Sequence, residues 1–138
     1  MRNNLVSLKP RILLVEDHPF QMIALQMRLN QMGFFTLTPA LDRREVLAIL
    51  ATGQHFDLML CDQHLSDGLG LELVKQAHDL GAISHAVLIS GIDDAQTLRN
   101  ILRQALAQKL PLRACLPKPL SAVALGSVLT PLGIVGTL

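Results

Sequence analysis

The run Ile12-Leu13-Leu14-Val15-Glu16-Asp17-His18 decides how the other residues of this 138-residue chain are read. Four consecutive apolar residues are too few for a helix and do not alternate, which is the pattern of a strand covered on both faces. This strand, Arg11–Val15, stops at two adjacent carboxylates. Similar apolar runs follow at Phe34–Thr38, Phe56–Cys61, Ala86–Ser90 and Leu112–Leu116.

Segments of helical period separate the runs. In the first, Met22, Leu25, Leu29 and Met32 form one stripe, widened by Ile23 and Met27, and Gly33 is a stop signal. A second helix is predicted from an Asp42 N-cap to Thr52, and a third over Leu69–Leu80 before Gly81. The fourth sets Leu98, Ile101, Leu102, Ala105 and Leu106 against the core, with Arg99, Arg103, Gln104 and Gln108 outside. The last starts near Ser121 and falters by Pro131. Repeated strand–helix units imply an α/β doubly wound sheet of five parallel strands, with right-handed crossovers and helices on both faces. Such sheets bind ligands at the carboxyl ends of their strands, where strand order reverses.

Half of the chain is apolar, enough for one packed domain. A net charge of +1 without any basic block argues against a broad nucleic-acid surface, and no helix-turn-helix pattern follows Lys118. Cys61 and Cys115 lie in apolar runs and make no disulfide framework, so a reducing, cytoplasmic setting is expected. Residues 1–10 read as a leader without the apolar core of a signal peptide. The stretch from Pro119 to Leu138 is uncharged, but Pro131, Gly126, Gly133 and Gly136 interrupt it, which speaks against a membrane span. The domain is drawn over 11–130, with 131–138 as a tail or the start of a linker.

The strand ends carry the chemistry. They present Glu16-Asp17, Asp62, Ser90 and Lys118, which the fold should bring to one rim. Three clustered carboxylates take up protons unless a cation neutralises them. Their hard oxygens suit Mg²⁺, and no Cys/His group has zinc spacing. A carboxylate can attack phosphorus to give an aspartyl phosphate, with a metal and a lysine neutralising the transferring group. Taken singly, each residue is bland: an aspartate at a strand end is usually a cap or turn residue, and a lone lysine is usually solvated. Their order along the chain lifts them above that.

The acidic pair after the first strand, Asp62 with Leu65, Asp67 and Gly70, the run Leu88-Ile89-Ser90-Gly91 and the pair Lys118-Pro119 together resemble the receiver domain of two-component response regulators. The resemblance covers nearly the whole chain and implies a flavodoxin-like (βα)5 fold. It implies that Asp62 is the phosphoacceptor and that Glu16, Asp17, Asp62 and the backbone carbonyl of His64 hold Mg²⁺. Ser90 and Lys118 would contact the phosphoryl group, and the bond before Pro119 would be cis. The partner would be a sensor histidine kinase or a phosphotransfer protein, and the domain would turn over no separate metabolite.

Three features depart from that family's common pattern. Cys115 stands where most members carry an aromatic switch residue, which leaves the output route open. Ser66 replaces a usual proline, and the span from Ser90 to Lys118 is long. The long fourth segment and His18-Pro19-Phe20-Gln21 are similar to receivers found ahead of EAL-type cyclic-di-GMP phosphodiesterase domains, and such an output domain is expected elsewhere. A homodimer through the face of the fourth helix, fifth strand and fifth helix is a further expectation. The competing functions are a degenerate receiver that only docks and an aspartyl-phosphate phosphatase similar to haloacid-dehalogenase-like hydrolases, in which His64 would take the acid's place.

Overall fold

The computed structural model describes residues 9–91 and 94–137. Residues 1–8 of the leader and Leu138 of the tail lie outside the described residues. In chain order the elements are β1 (Ile12–Val15), α1 (Pro19–Gln31), β2 (Leu37–Ala40), α2 (Arg43–Leu50) and β3 (Phe56–Asp62). There follow a two-stranded ribbon of β4 (His64–Leu65) and β5 (Gly68–Leu69), then α3 (Gly70–Asp79), β6 (Ile83–Ser90), α4 (Ala95–Ala107), β7 (Leu112–Pro117) and α5 (Ala122–Leu129).

The main sheet is parallel, in the order β2-β1-β3-β6-β7. Residues alternate between its two faces. Leu13, Val15, Met59, Cys61 and Leu88 join α2, α3 and α4 in one core, and Ile12, Leu14, Leu58, Leu60 and Val87 join α1 and α5 in the other. Because both faces are covered, β1 is fully buried, as its unbroken apolar run requires. The chain leaves β1 towards β2 on one side, and β3 lies on the other. The order reverses there, where Glu16 follows β1 and Asp62 ends β3.

Four expectations need correction. The second strand runs Leu37–Ala40 instead of Phe34–Thr38. Gly33, at φ +90°, turns the chain out of α1, and the Phe34 N–H still closes on the Leu29 carbonyl at 2.9 Å. Phe34 is therefore a plug in the core before the strand begins, and Pro39 is tolerated because β2 is an edge strand. On α1 only Met22, Leu25 and Leu29 are buried, while Ile23 and Met27 face outward. On α4, Ile101 and Ala105 are buried, but Leu106 is 77% exposed, on the same side as Arg99 and Arg103. One helix against a sheet buries one stripe, and these residues fall beside it.

The fourth concerns the tail. A 3-10 turn, Thr130–Leu132, follows α5, and packing continues past residue 130. Ile134 is buried in the α1–α5 core, and the Thr137 N–H donates to the Gly33 carbonyl at 2.8 Å. A Cβ on Gly136 would fall on the Met32 carbonyl, so only glycine permits this approach. No helix among the described residues is long and apolar enough to cross a membrane.

The opposite end of the sheet carries a polar group of its own. The β6–β7 register shifts between Ala86 and Val87, leaving Arg113 as the extra residue of a bulge. Its Nε donates to His85 Nδ1 at 2.9 Å. Burial and the adjacent guanidinium hold the His85 pKa below its ordinary value. The unfolded chain therefore binds the proton more readily than the folded one, and stability contributed here is lost as pH falls through the ordinary imidazole range. Urea denaturation at about pH 7.5 and about pH 5.5 should show His85→Gln losing less stability on acidification than wild type. Equal losses would assign the pH dependence elsewhere.

Candidate functional site

Strand geometry brings distant residues together at the carboxyl edge. Glu16 follows β1, Asp62 ends β3, Ser90 ends β6 and Lys118 follows β7. Lys118 Nζ lies 2.8 Å from Asp62 Oδ2 and 3.0 Å from Glu16 Oε2. One oxygen from each of Glu16, Asp17 and Asp62 lies within 4.8 Å of the others. Glu16 is 4% exposed and Asp62 5% exposed. Two nearly buried carboxylates thus share one ammonium group, with a third carboxylate at the rim.

Backbone donors fix each acid. The His18 N–H binds Glu16 Oε1 at 3.1 Å, the His64 N–H binds Asp62 Oδ1 at 3.1 Å, and the Ser66 N–H binds Asp17 Oδ2 at 2.7 Å. Burial raises the Glu16 pKa, and the charge of Asp62 pushes it the same way, while the Lys118 and His18 hydrogen bonds oppose both. The Lys118 pKa is raised: burial would lower it, but the hydrogen bonds and charges of Asp62 and Glu16 outweigh that. Lys118 is therefore a firm cation at neutral pH. Three carboxylates against one ammonium leave two negative charges uncompensated, and all the donors are hard oxygens. That donor set and charge fit one Mg²⁺ ion.

Ser90 is fully buried, and its carbonyl accepts from the Lys118 N–H at 2.9 Å, which ties the ends of β6 and β7 together. The Lys118–Pro119 bond is cis. Cys115 is buried in the core beneath α4, beside Leu88 in the β6–β7 register. Asp67 stands apart from the acid cluster: it accepts from the Arg43 N–H at 3.1 Å and so supports the start of α2, alongside the Asp42 cap.

Two residues have roles that inspection of the sequence missed. Gln63 is 5% exposed and stands in for the cap that α3 lacks. Its carbonyl accepts from the Gly70 N–H at 2.8 Å, its side-chain oxygen from the Leu71 N–H at 2.9 Å, and its own N–H donates to the Ile89 carbonyl. A buried glutamine directly after a candidate nucleophile was the available clue. Gln21 is the other, with its Oε1 2.9 Å from Lys118 Nζ.

Comparison with known proteins agrees with this geometry. Residues 12–125 match the family model described as the response regulator receiver domain. The chain is 32% identical over 94 residues to the cyclic di-GMP phosphodiesterase RocR of Pseudomonas aeruginosa, a match over 68% of this chain and 22% of that protein. The chain therefore spans about a fifth of the length of this curated relative. Among solved structures, the Francisella response regulator 1452 receiver domain superposes with a TM-score of 0.73 at 19% identity, covering 91% of this chain and 97% of that one. A CheY-like receiver domain from Methylobacillus flagellatus gives 0.69 at 25% identity, covering 89% and 98%. With a flavodoxin-like sheet, an acidic rim and a lysine bridging its two central strands, the chain belongs to the response regulator receiver domain family.

Proposed function

We propose that Asp62 accepts a phosphoryl group from a sensor histidine kinase or phosphotransfer protein, and that the domain uses the resulting aspartyl phosphate as a switch. The observation that carries this reading is the bridge from Lys118 Nζ to both Asp62 and Glu16, with Asp17 beside them. A carboxylate oxygen of Asp62 attacks phosphorus, and the bond from phosphorus to the donor's imidazole nitrogen breaks. The His64 N–H and Lys118 hold the carboxylate in place, so the attacking group is oriented before the donor arrives. Lys118 then pairs with a phosphoryl oxygen. Bound Mg²⁺, held by Glu16, Asp17, Asp62 and the His64 carbonyl, would screen the negative charge of the transferring group.

Ser90 would accompany the phosphoryl group as the switch residue and bias the α4–β7 surface. Cys115 is too small to act as an aromatic rotamer switch, so repacking of α4 over Leu88 and Cys115 is the route we favour. The relative's name suggests a cyclic di-GMP phosphodiesterase output domain for this chain as well, in keeping with the EAL-type domain that the sequence resemblance implies. The domain itself turns over no separate metabolite, and a cytoplasmic setting goes with a kinase partner. Symmetric pairing through α4, β7 and α5 has a charge problem, because residues 95–138 carry Arg99, Arg103, Lys109 and Arg113 besides the site's own Lys118 and contain no Asp or Glu.

Acetyl phosphate with Mg²⁺, followed by intact mass measurement, tests the reading. Wild type should gain one phosphoryl group and Asp62→Asn none. Equal labelling of both would displace the site. If wild type neither gains mass nor responds to beryllofluoride, a docking module is the better description. Turnover of p-nitrophenyl phosphate would favour the phosphatase instead.

A further inference from the structure

We propose that Gln21 is a positioning residue for Lys118: its side-chain carbonyl tethers the ammonium group independently of the two carboxylates. The inference rests on the phosphotransfer reading above, and it gives the Gln of His18-Pro19-Phe20-Gln21 a physical task.

An ammonium group has three N–H donors. Lys118 Nζ has three acceptors at hydrogen-bond distance: Asp62 Oδ2 at 2.8 Å, Gln21 Oε1 at 2.9 Å and Glu16 Oε2 at 3.0 Å. Two of them are carboxylates of the acid cluster. Gln21 is the uncharged one, and it takes no part in forming or breaking a bond. Asp62 would change its charge and shape as an acyl phosphate, and Glu16 would be shared with a bound metal, so the amide contact alone would keep the same chemistry throughout.

The local fold explains why Gln21 is available. α1 begins at Pro19 after an N-cap at His18, so Gln21 is the third helical residue. A glutamine at that position commonly reaches back to the N-cap N–H. Here Glu16 Oε1 already accepts from the His18 N–H, and the His18 side chain caps nothing. Gln21 is released from capping and extends across to β7's end. Pro19, with its fixed φ, holds the first turn in register. Gln21 also lines a cavity of about 380 Å³ beside Lys118, with Leu25, Ile89 and Leu120 among its walls, and there the lysine would be free to swing if untethered.

Gln21→Met keeps the length of the side chain and removes the acceptor; Gln21→Glu keeps an oxygen at similar reach. In Gln21→Met the acetyl-phosphate reaction should slow by roughly three- to tenfold, the range that one net hydrogen bond spans. Mg²⁺ affinity and thermal midpoint should stay at wild-type values. The ¹⁵Nζ resonance of Lys118 should shift or broaden in Gln21→Met and return in Gln21→Glu. An unchanged resonance and rate in Gln21→Met overturn the proposal. So does a parallel fall in Mg²⁺ affinity and thermal midpoint, which would mark a structural role. If wild type takes up no phosphoryl group, the phosphotransfer reading fails on its own, and the resonance still decides whether Gln21 holds the lysine.

Discussion

Lys118→Met should lower acetyl-phosphate reactivity by roughly 100- to 1,000-fold, the scale seen when one preorganised donor to a developing charge is removed. The same change should destabilise the fold at neutral pH. It leaves Glu16 and Asp62, each about 5% exposed, without the cation that both carboxylates contact. Breaking a fully buried pair from one side costs about 3–5 kcal/mol. The Lys118 side chain is 27% exposed, so about 2–3 kcal/mol is the expectation here. The sign of the pH dependence follows from Glu16. Its pKa is already raised by burial, and losing Lys118 removes the contacts that oppose the rise. The variant should therefore recover stability as pH falls, when Glu16 takes up a proton, and lose it as pH rises through that raised value. Mg²⁺ should rescue stability at neutral pH as well, but not reactivity. Chemical denaturation across pH, with and without the ion, checks both. A variant as stable as wild type at neutral pH would mean that the two carboxylates do not need the ammonium.

Gly70→Ala is the second large effect, and it acts through the backbone. A Cβ at Gly70 would fall on the Asp62 carbonyl oxygen and come within 3.0 Å of Cys61 Sγ and Leu88 Cδ2. The side chains could shift slightly, but the carbonyl belongs to the strand that positions Asp62 and cannot. Overpacking of this kind costs about 1–3 kcal/mol, and the upper end applies when backbone must move. Reactivity should drop too, since the displaced residue is the candidate nucleophile. Gly126→Ala is the contrasting control. Nothing lies within 4 Å of a Cβ there, within α5, so it should stabilise by about 0.5–1 kcal/mol. If Gly70→Ala melts like wild type and still reacts, the close approach is not a constraint.

How much of this could be read in advance depended on whether the signal was local. β1 and β3 are legible because strands covered on both faces leave unbroken apolar runs, Ile12–Val15 in β1 and Leu58–Cys61 in β3, and Glu16, Asp17 and Asp62 stand where those runs stop. Asp62 and Lys118 are 56 positions apart, yet strand order alone predicts that they meet. β2 was misplaced because Phe34-Phe35 looks like strand material, whereas Gly33 and Phe34 are still completing the exit from α1. Leu106 was misread because apolar character alone does not place a residue on the buried stripe. Gln21 was invisible for a different reason. Its oxygen gains meaning only when a lysine 97 positions later arrives beside it, and a surface glutamine carries no pattern of its own.

The two thiols give the molecule a built-in clock for its own opening. Burial raises the Cys61 pKa well above its ordinary value, with the charges of Asp62 and Glu16 adding to it, and burial pushes Cys115 up to about 11. Alkylating reagents attack thiolates, so neither sulfur reacts at an appreciable rate while the domain is closed. Both sit in the layer beneath α2, α3 and α4. Cys61 lies under Gly70 at the start of α3, and Cys115 lies under α4. Their separate modification rates would time the loosening of floor and roof without any introduced label.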